Sequence, residues 1–325
     1  VSRRDMLKMG LVGAGALALG AANADAAISA KDVKFDEEWD VVIIGSGFAG
    51  LAAGLKAAQK GSKVLILEKM GRIGGNSVIN GGGMAVANNP VQAKTNIKDS
   101  KELFIADCLK AGLGINHTEL LETLVDRGMD AYNFLLENGV QFKEHCAHFG
   151  GHTVARSLLT TNDSGSGYIQ PMLEKFEGFK DKGCELRRRA KFDDFVMDGE
   201  RVAGVVIREE YKFDPNLYSD DLENTSGTKK TLKAKKGVVL AAGGFCRDKF
   251  YRKLQDPRIP DDVDSTNHAG ATAGVLLKAF EIGAYPVQVD WIQFGPWASP
   301  DEKGFGTAPI LTQQGTFKYL SLIHI

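Results

Sequence analysis

The chain has 325 residues, of which 43% are hydrophobic, and it carries a formal net charge of −1. This length allows one large core or two modest ones, and the lack of a basic excess argues against nucleic acid as a partner. The four cysteines form no C-x-x-C pair and no C-x-x-C-H motif for attaching haem.

Residues 1–26 have the parts of a signal peptide: a basic start, a short apolar middle and small residues before a cleavage site. Arg3 and Arg4 precede the apolar run 10–22, and they resemble a twin-arginine signal, a route that exports proteins already folded around a cofactor. The run falls short of the ~20 apolar residues that cross a bilayer. We therefore expect export to the periplasm and no stable membrane span; an ordinary secretory signal is the alternative.

The next segment predicts a βαβ unit. Residues 41–44 form an apolar run typical of a buried parallel strand, 51–60 show helical periodicity, and 63–67 form a second apolar strand. Helices are then predicted at 100–110, 118–136 and 169–180, and strands at 185–190, 194–197, 202–209 and 238–241. We interpret the charged stretch 214–236 as a solvated hairpin excursion.

A glycine motif lies inside the βαβ unit. Gly45, Gly47 and Gly50 follow the first strand in G-x-G-x-x-G spacing and open the helix, where backbone can approach a pyrophosphate. Glu68 ends the second strand, where a carboxylate can accept hydrogen bonds from ribose hydroxyls. Together they predict a bound dinucleotide.

Two further glycine segments favour FAD over NAD. One is the turn Gly243-Gly244 after the apolar run 238–241, which resembles the A-T-G-G turn of two-dinucleotide-binding flavoproteins. The other lies soon after the acid, where residues 74–77 read Gly-Gly-Asn-Ser and 80–83 read Asn-Gly-Gly-Gly. An NAD enzyme needs no glycines there, whereas an FAD requires close backbone along its ribityl chain and ring system. A plain glycine-rich loop is the alternative for 74–83.

Four segments, DVVIIGSGFAG, LEKMGRIGGNSVINGGGM, VVLAAGGF and STNHAGA, resemble the flavoprotein module of soluble fumarate reductases and flavocytochromes c. The resemblance implies an α/β fold: a Rossmann-like FAD-binding domain at 36–285 with an inserted α+β capping domain for substrate, whose start falls at 286–319. Residues 320–325 look like a translated sequencing adaptor, and we expect them not to be native. The resemblance and the glycine motifs together assign these residues to FAD: Gly45, Gly47, Ala49, Gly50, Glu68, Gly75, Asn76, Ser77, Gly81, Gly82, Gly243 and Gly244.

One departure concerns the segment after Ser265–Asn267. The family often has Gly-Asp-Gly there, and this chain has Ala273-Gly274-Val275, so a polar contact to the flavin is either missing or supplied elsewhere.

The family's chemistry is hydride transfer from flavin N5 to the C=C bond of an unsaturated carboxylate, with an arginine donating a proton. By the resemblance that arginine falls beyond Lys318, so we expect this fragment to be inactive. Gln293 and Thr312 are candidates for the substrate side, and Gly295 replaces a substrate-binding histidine, which argues against a small dicarboxylate. The resemblance also implies a separate c-type cytochrome as electron donor.

Two rival functions stay open. A flavin dehydrogenase or oxidase, such as a ketosteroid dehydrogenase, shares the FAD motifs, and a flavoprotein that only relays electrons needs no substrate pocket. No metal is expected, because His145, Cys146 and His148 are poorly spaced for a metal site and no second ligand cluster accompanies them. For His152 a structural and a redox role are both open.

Overall fold

The computed structural model describes residues 28–294. The chain divides into two compact units: the first joins the residues up to Asn76 with those from Asp181 onward, and the second is Ser77–Lys180. The predicted α/β class is confirmed. The predicted domain boundary between residues 285 and 286 stays a prediction, and the predicted signal, residues 1–26, lies outside the described residues.

The described strands and helices follow in chain order. The strands are β1 (Ile28–Ser29), β2 (Glu37–Ile44), β3 (Val64–Glu68), β4 (Gly83–Ala85), β5 (Phe142–Ala147), β6 (Ser157–Thr160), β7 (Glu185–Arg188), β8 (Lys191–Asp198), β9 (Arg201–Glu209) and β10 (Thr228–Leu240). The helices are α1 (Phe48–Gln59), α2 (Gly75–Ile79), α3 (Pro90–Lys94), α4 (Lys101–Ala111), α5 (Thr118–Glu137), α6 (Ser166–Glu177), α7 (Asp220–Glu223), α8 (Lys249–Gln255) and α9 (Gly274–Glu281).

The first unit is built on a seven-stranded sheet in the order β1-β8-β9-β10-β2-β3-β7. Strands β10, β2, β3 and β7 run parallel to one another, and all five residues of β3 are buried, as an apolar strand in the middle of a parallel sheet requires. Gly54 lets α1 pack closely on this sheet, since a Cβ there would lie 2.6 Å from Cδ1 of Ile66. The predicted βαβ unit is confirmed, with Glu68 at the carboxyl end of β3.

The prediction of a solvated hairpin excursion over 214–236 is wrong for β10 and for the segment around α7, where Ser219, Asp220 and Asn224 are buried. Strand β10 is an interior strand, antiparallel to β9 on one side and parallel to β2 on the other. Leu232 and Ala234 are buried in the core of the sheet, whereas Lys233 pairs with Glu38 on the other face (3.1 Å). The lysines that suggested a solvated stretch therefore belong to a strand with one apolar face.

The second unit contains a three-stranded antiparallel sheet in the order β4-β6-β5. Its long helix α5 buries Val125, Gly128 and Tyr132, whose spacing places them on one helical face. Leu158, on the central strand β6, is fully buried and packs in a cluster with Val86, Val91 and Tyr132. These contacts give the unit an apolar core of its own.

A buried arginine organises the loops of the second unit. Arg156 is fully buried; its Nε and Nη2 each donate to Asp99 at 2.9 Å, and its Nη1 donates to Asp107 at 2.6 Å. Nη1 also lies 2.9 Å from Nδ1 of His152, which accepts because a guanidinium only donates. Burial first, and then the charge of Arg156, lower the pKa of His152. His152 is therefore hydrogen-bonded to the buried Arg156, which favours a structural role for its side chain.

Between residues 28 and 294, no helix combines the length and the apolar character that crossing a bilayer requires.

Candidate dinucleotide site

The loop between β2 and α1 requires its glycines. Gly45 has φ of +108°, and a Cβ there would overlap the carbonyl oxygen of Ala241. A Cβ on Gly50 would in turn overlap the carbonyl oxygen of Gly45. Gly47 is the N-cap of α1 and provides no side-chain cap. The N-terminus of this 12-residue helix favours a negatively charged group such as a pyrophosphate. Ala49 lies in the first turn of this helix.

Glu68 is held at this loop by a residue that the sequence reasoning did not single out. Its side chain is buried, and it accepts hydrogen bonds from the hydroxyl of Ser46 and from the N–H of Met70 (2.8 Å). The same hydroxyl accepts from the N–H of Gly74 at 2.9 Å. Ser46 therefore links the first glycine loop, the acid and the second glycine segment. The only signal for it in the sequence is its position inside the glycine motif.

The second glycine segment contacts a part of the chain that is distant in sequence. Asn76 Nδ2 donates to Oδ1 of Asn267 at 2.7 Å, and Asn76 Oδ1 accepts from the N–H of His268 at 2.6 Å. Gly75, with φ of +46°, precedes Asn76 in α2 and has open space where a Cβ would project. The structure thus brings together two of the segments that carry the family resemblance.

The turn after β10 lies next to the first glycine loop. The N–H of Ala241 donates to the carbonyl of Ile44 at 2.9 Å, and Gly243 and Gly244, two residues further on, are exposed with no atom near a Cβ built on either. Backbone without side chains is what a flat cofactor needs for close approach. Burial first lowers the pKa of His268, which contacts Asn76, and Glu68 partly opposes that shift.

The predicted residues Ser77, Gly81 and Gly82 belong to the second unit. A Cβ on Gly82, which has φ of +66°, would lie 2.7 Å from the carbonyl carbon of Ser164, so packing within this unit already requires that glycine. Gly81 is exposed with open space at its Cβ position, and Ser77 lies in α2.

Gln293, which the sequence predicts for the substrate side, is exposed. Thr312 lies outside the described residues, and residues 319–325 of this sequence contain no arginine. Within residues 28–294, no group of three or more His, Cys, Asp or Glu side chains could hold a metal ion.

The residues of the first unit fit an FAD. The strained glycine loop at Gly45, the helix N-terminus behind it and the buried carboxylate of Glu68 match the pyrophosphate and ribose of a dinucleotide. The fold and these residues define a flavoprotein with a Rossmann-like FAD-binding domain. A profile described as the FAD binding domain matches residues 40–316, and the chain belongs to this family. Its cofactor is FAD; which residues contact it stays a prediction.

Several known proteins are similar to this chain over most of its length. An acrylate reductase flavoprotein subunit from Shewanella woodyi is 41% identical over 94% of this chain and 58% of its own length. A urocanate reductase from Eggerthella lenta is 34% identical over 79% of this chain and 40% of its own length. The open conformation of a flavocytochrome c3 fumarate reductase superimposes with a TM-score of 0.73 at 24% identity, covering 96% of this chain and 49% of that one. The chain therefore spans about half the length of these relatives.

Proposed function

We propose that the protein is an FAD-dependent reductase that saturates the C=C bond of an α,β-unsaturated carboxylate. The observation that carries the proposal is the 41% identity, over 94% of this chain, to a protein named as an acrylate reductase flavoprotein subunit. The similar urocanate reductase supports the same substrate class, because acrylate and urocanate are both α,β-unsaturated acids.

The chain's own residues would hold the cofactor as follows. The N-terminus of α1 and the loop from Gly45 to Gly50 would bind the pyrophosphate, and Glu68 would accept hydrogen bonds from the adenosine ribose. Asn76 would hold residues 265–271 next to the cofactor through its hydrogen bonds to Asn267 and His268. When bound and reduced, the flavin would supply two electrons as a hydride and return to FAD, and the reaction would add that hydride and one proton across the double bond. Gln293 and Thr312 are proposed for the substrate side.

The electrons would come from a separate c-type cytochrome. In support, the Shewanella woodyi relative is itself named as a flavoprotein subunit. Mixing the reduced cytochrome with the oxidised flavoprotein under anaerobic conditions should bleach the flavin. A flavin that stays oxidised with every c-type cytochrome of the host would contradict this part of the proposal.

Export by the twin-arginine route is proposed from the Arg3-Arg4 pair and the apolar run that follows it. Replacing both arginines with lysine should retain the protein in the cytoplasm, which cell fractionation would detect. Unchanged export of that variant would point to an ordinary secretory signal.

The main test follows flavin reoxidation. The holoprotein is purified as the product of the full-length gene, because the given sequence alone is expected to be inactive. It is reduced without oxygen and mixed with acrylate, methacrylate, urocanate, fumarate or cinnamate while flavin absorbance is recorded. Fast reoxidation by one of these acids would establish the reductase and identify its substrate. If none of them acts but the oxidised flavin is bleached by a saturated ketosteroid, the protein is a dehydrogenase. If only a cytochrome reacts, it is an electron relay.

A further inference from the structure

The start of α9 faces a carboxylate that comes from another part of the chain. Gly274 is the first residue of α9, and its N–H donates to Oδ2 of Asp221 at 2.8 Å. A Cβ built on Gly274 would lie 2.6 Å from Cγ of Asp221 and 2.7 and 2.9 Å from its two carboxylate oxygens. The carboxylate of Asp221 therefore fills the space that a side chain at position 274 would need.

Asp221 also contacts the residue that follows Glu68. Lys69 Nζ lies 3.4 Å from Oδ1 of Asp221 and donates to Oγ1 of Thr272 at 2.5 Å. Lys191 Nζ lies 4.0 Å from the same Oδ1. The Asp221 side chain thus joins α7 to the end of β3, the start of β8 and the start of α9.

The surroundings of Asp221 favour its charged form. Its side chain is only 6% exposed, and burial alone would raise its pKa. The charge of Lys69, a hydrogen bond from Thr272, the charge of Lys191 and the N–H of Gly274 together outweigh burial and lower the pKa. The N-terminus of a helix also stabilises a negative charge.

The contact between Asp221 and Gly274 lies where this sequence differs from the resembled family. Position 274 is where the resembled family often has an acid, and this chain has a glycine there. We propose that Asp221 supplies from α7 the carboxylate that this chain lacks at position 274, and that it positions Lys69 and the start of α9 for FAD binding. Asp221 is a positioning residue in this account. The proposal rests on FAD binding by the first unit and not on the reductase activity.

Moving the carboxylate from position 221 to position 274 tests the proposal. FAD affinity is measured by titrating the apoprotein and following flavin fluorescence, for the wild type and for D221A, G274D and D221G/G274D. We expect D221A to bind FAD about tenfold more weakly or worse, because a charge-assisted hydrogen bond at a buried site is lost. G274D alone should also bind weakly, since its new side chain overlaps Asp221. The double variant should recover affinity to within about threefold of the wild type, with a wild-type flavin spectrum.

Asp193→Ala is the matched control. Asp193 also forms ion pairs in this unit, with Arg208 at 3.0 Å and with Lys191 at 3.7 Å. Among the described residues, its side chain makes no bond to Lys69 or to residues 272–274. It should keep FAD affinity within about threefold while lowering thermal stability. Wild-type affinity in D221A, or a double variant that binds FAD no better than G274D alone, would overturn the proposal. If D221A does not fold, the comparison of G274D with D221G/G274D decides it alone.

Discussion

The hydroxyl of Ser46 is the smallest group whose removal tests the geometry of the cofactor site. Ser46 is 1% exposed, donates to Glu68 and accepts from the N–H of Gly74. Ser46→Ala removes a hydrogen bond to a charged group, at about 1.5–3 kcal/mol, and leaves a buried N–H without its acceptor, at about 1–3 kcal/mol. Because one hydroxyl makes both bonds, the costs are not fully additive, and we expect the free energy of unfolding to fall by about 2–4 kcal/mol.

The same substitution should also weaken FAD binding. The hydroxyl fixes the carboxylate that is expected to bind the ribose, so we expect an affinity loss of about 5–30-fold, the equivalent of about 1–2 kcal/mol. Urea unfolding of the apoprotein and titration with FAD measure the two effects separately.

Ser62→Ala is the control, because the hydroxyl of Ser62 accepts an exposed hydrogen bond from Lys236 at 3.1 Å. It should change the free energy of unfolding by less than about 0.5 kcal/mol. If Ser46→Ala behaves like this control in both assays, Ser46 does not organise the site and the reasoning is refuted.

Three further predictions concern the glycine loop, the buried arginine and the sheet. Gly45→Ala should lower stability by about 2 kcal/mol or more and weaken FAD binding, because of the positive φ and the overlap with Ala241; wild-type thermal melting and FAD titration would refute it. Burial acts to raise the pKa of Asp107, but Thr153 and Arg156 outweigh it and lower that pKa to about 2. Asp107 therefore contributes stability at pH values above its ordinary pKa of 3.8, and this contribution is lost as the pH falls towards about 2. The difference in free energy of unfolding between the wild type and D107N should shrink over that range. A difference that stays constant with pH would contradict this prediction. Leu232→Ala should cost about 2–5 kcal/mol in urea unfolding, whereas Lys233→Ala should cost less than about 0.5 kcal/mol; equal costs would mean that β10 is not an interior strand.

The nucleotide-binding half of the site was predictable from local sequence. The strand before Gly45, the helix after Gly50 and the acid that ends the next strand lie close together along the chain, and each has a short pattern with one physical meaning. The structure places all of them where that pattern requires.

Other parts depended on contacts that no local pattern contains. The carboxylate of Asp221 reaches Gly274 across 53 residues, and Asn76 reaches Asn267 across 191. Strand β10 was misjudged because its lysines dominate the composition, while only two core side chains, Leu232 and Ala234, mark its buried face. The network around Arg156 was also missed, since an arginine in a loop gives no sign of being fully buried.

The most direct test of the central claim, that Glu68 and the glycine loop hold an FAD, compares two flavins. FMN shares the flavin ring and ribityl chain with FAD but has no adenosine ribose, so a carboxylate that binds that ribose contributes to FAD alone. We predict that Glu68→Gln weakens FAD binding about tenfold or more and changes FMN binding by less than about twofold. An equal loss for both flavins, or no loss for either, would contradict the assignment of Glu68 to the ribose and with it the placement of the cofactor in this loop.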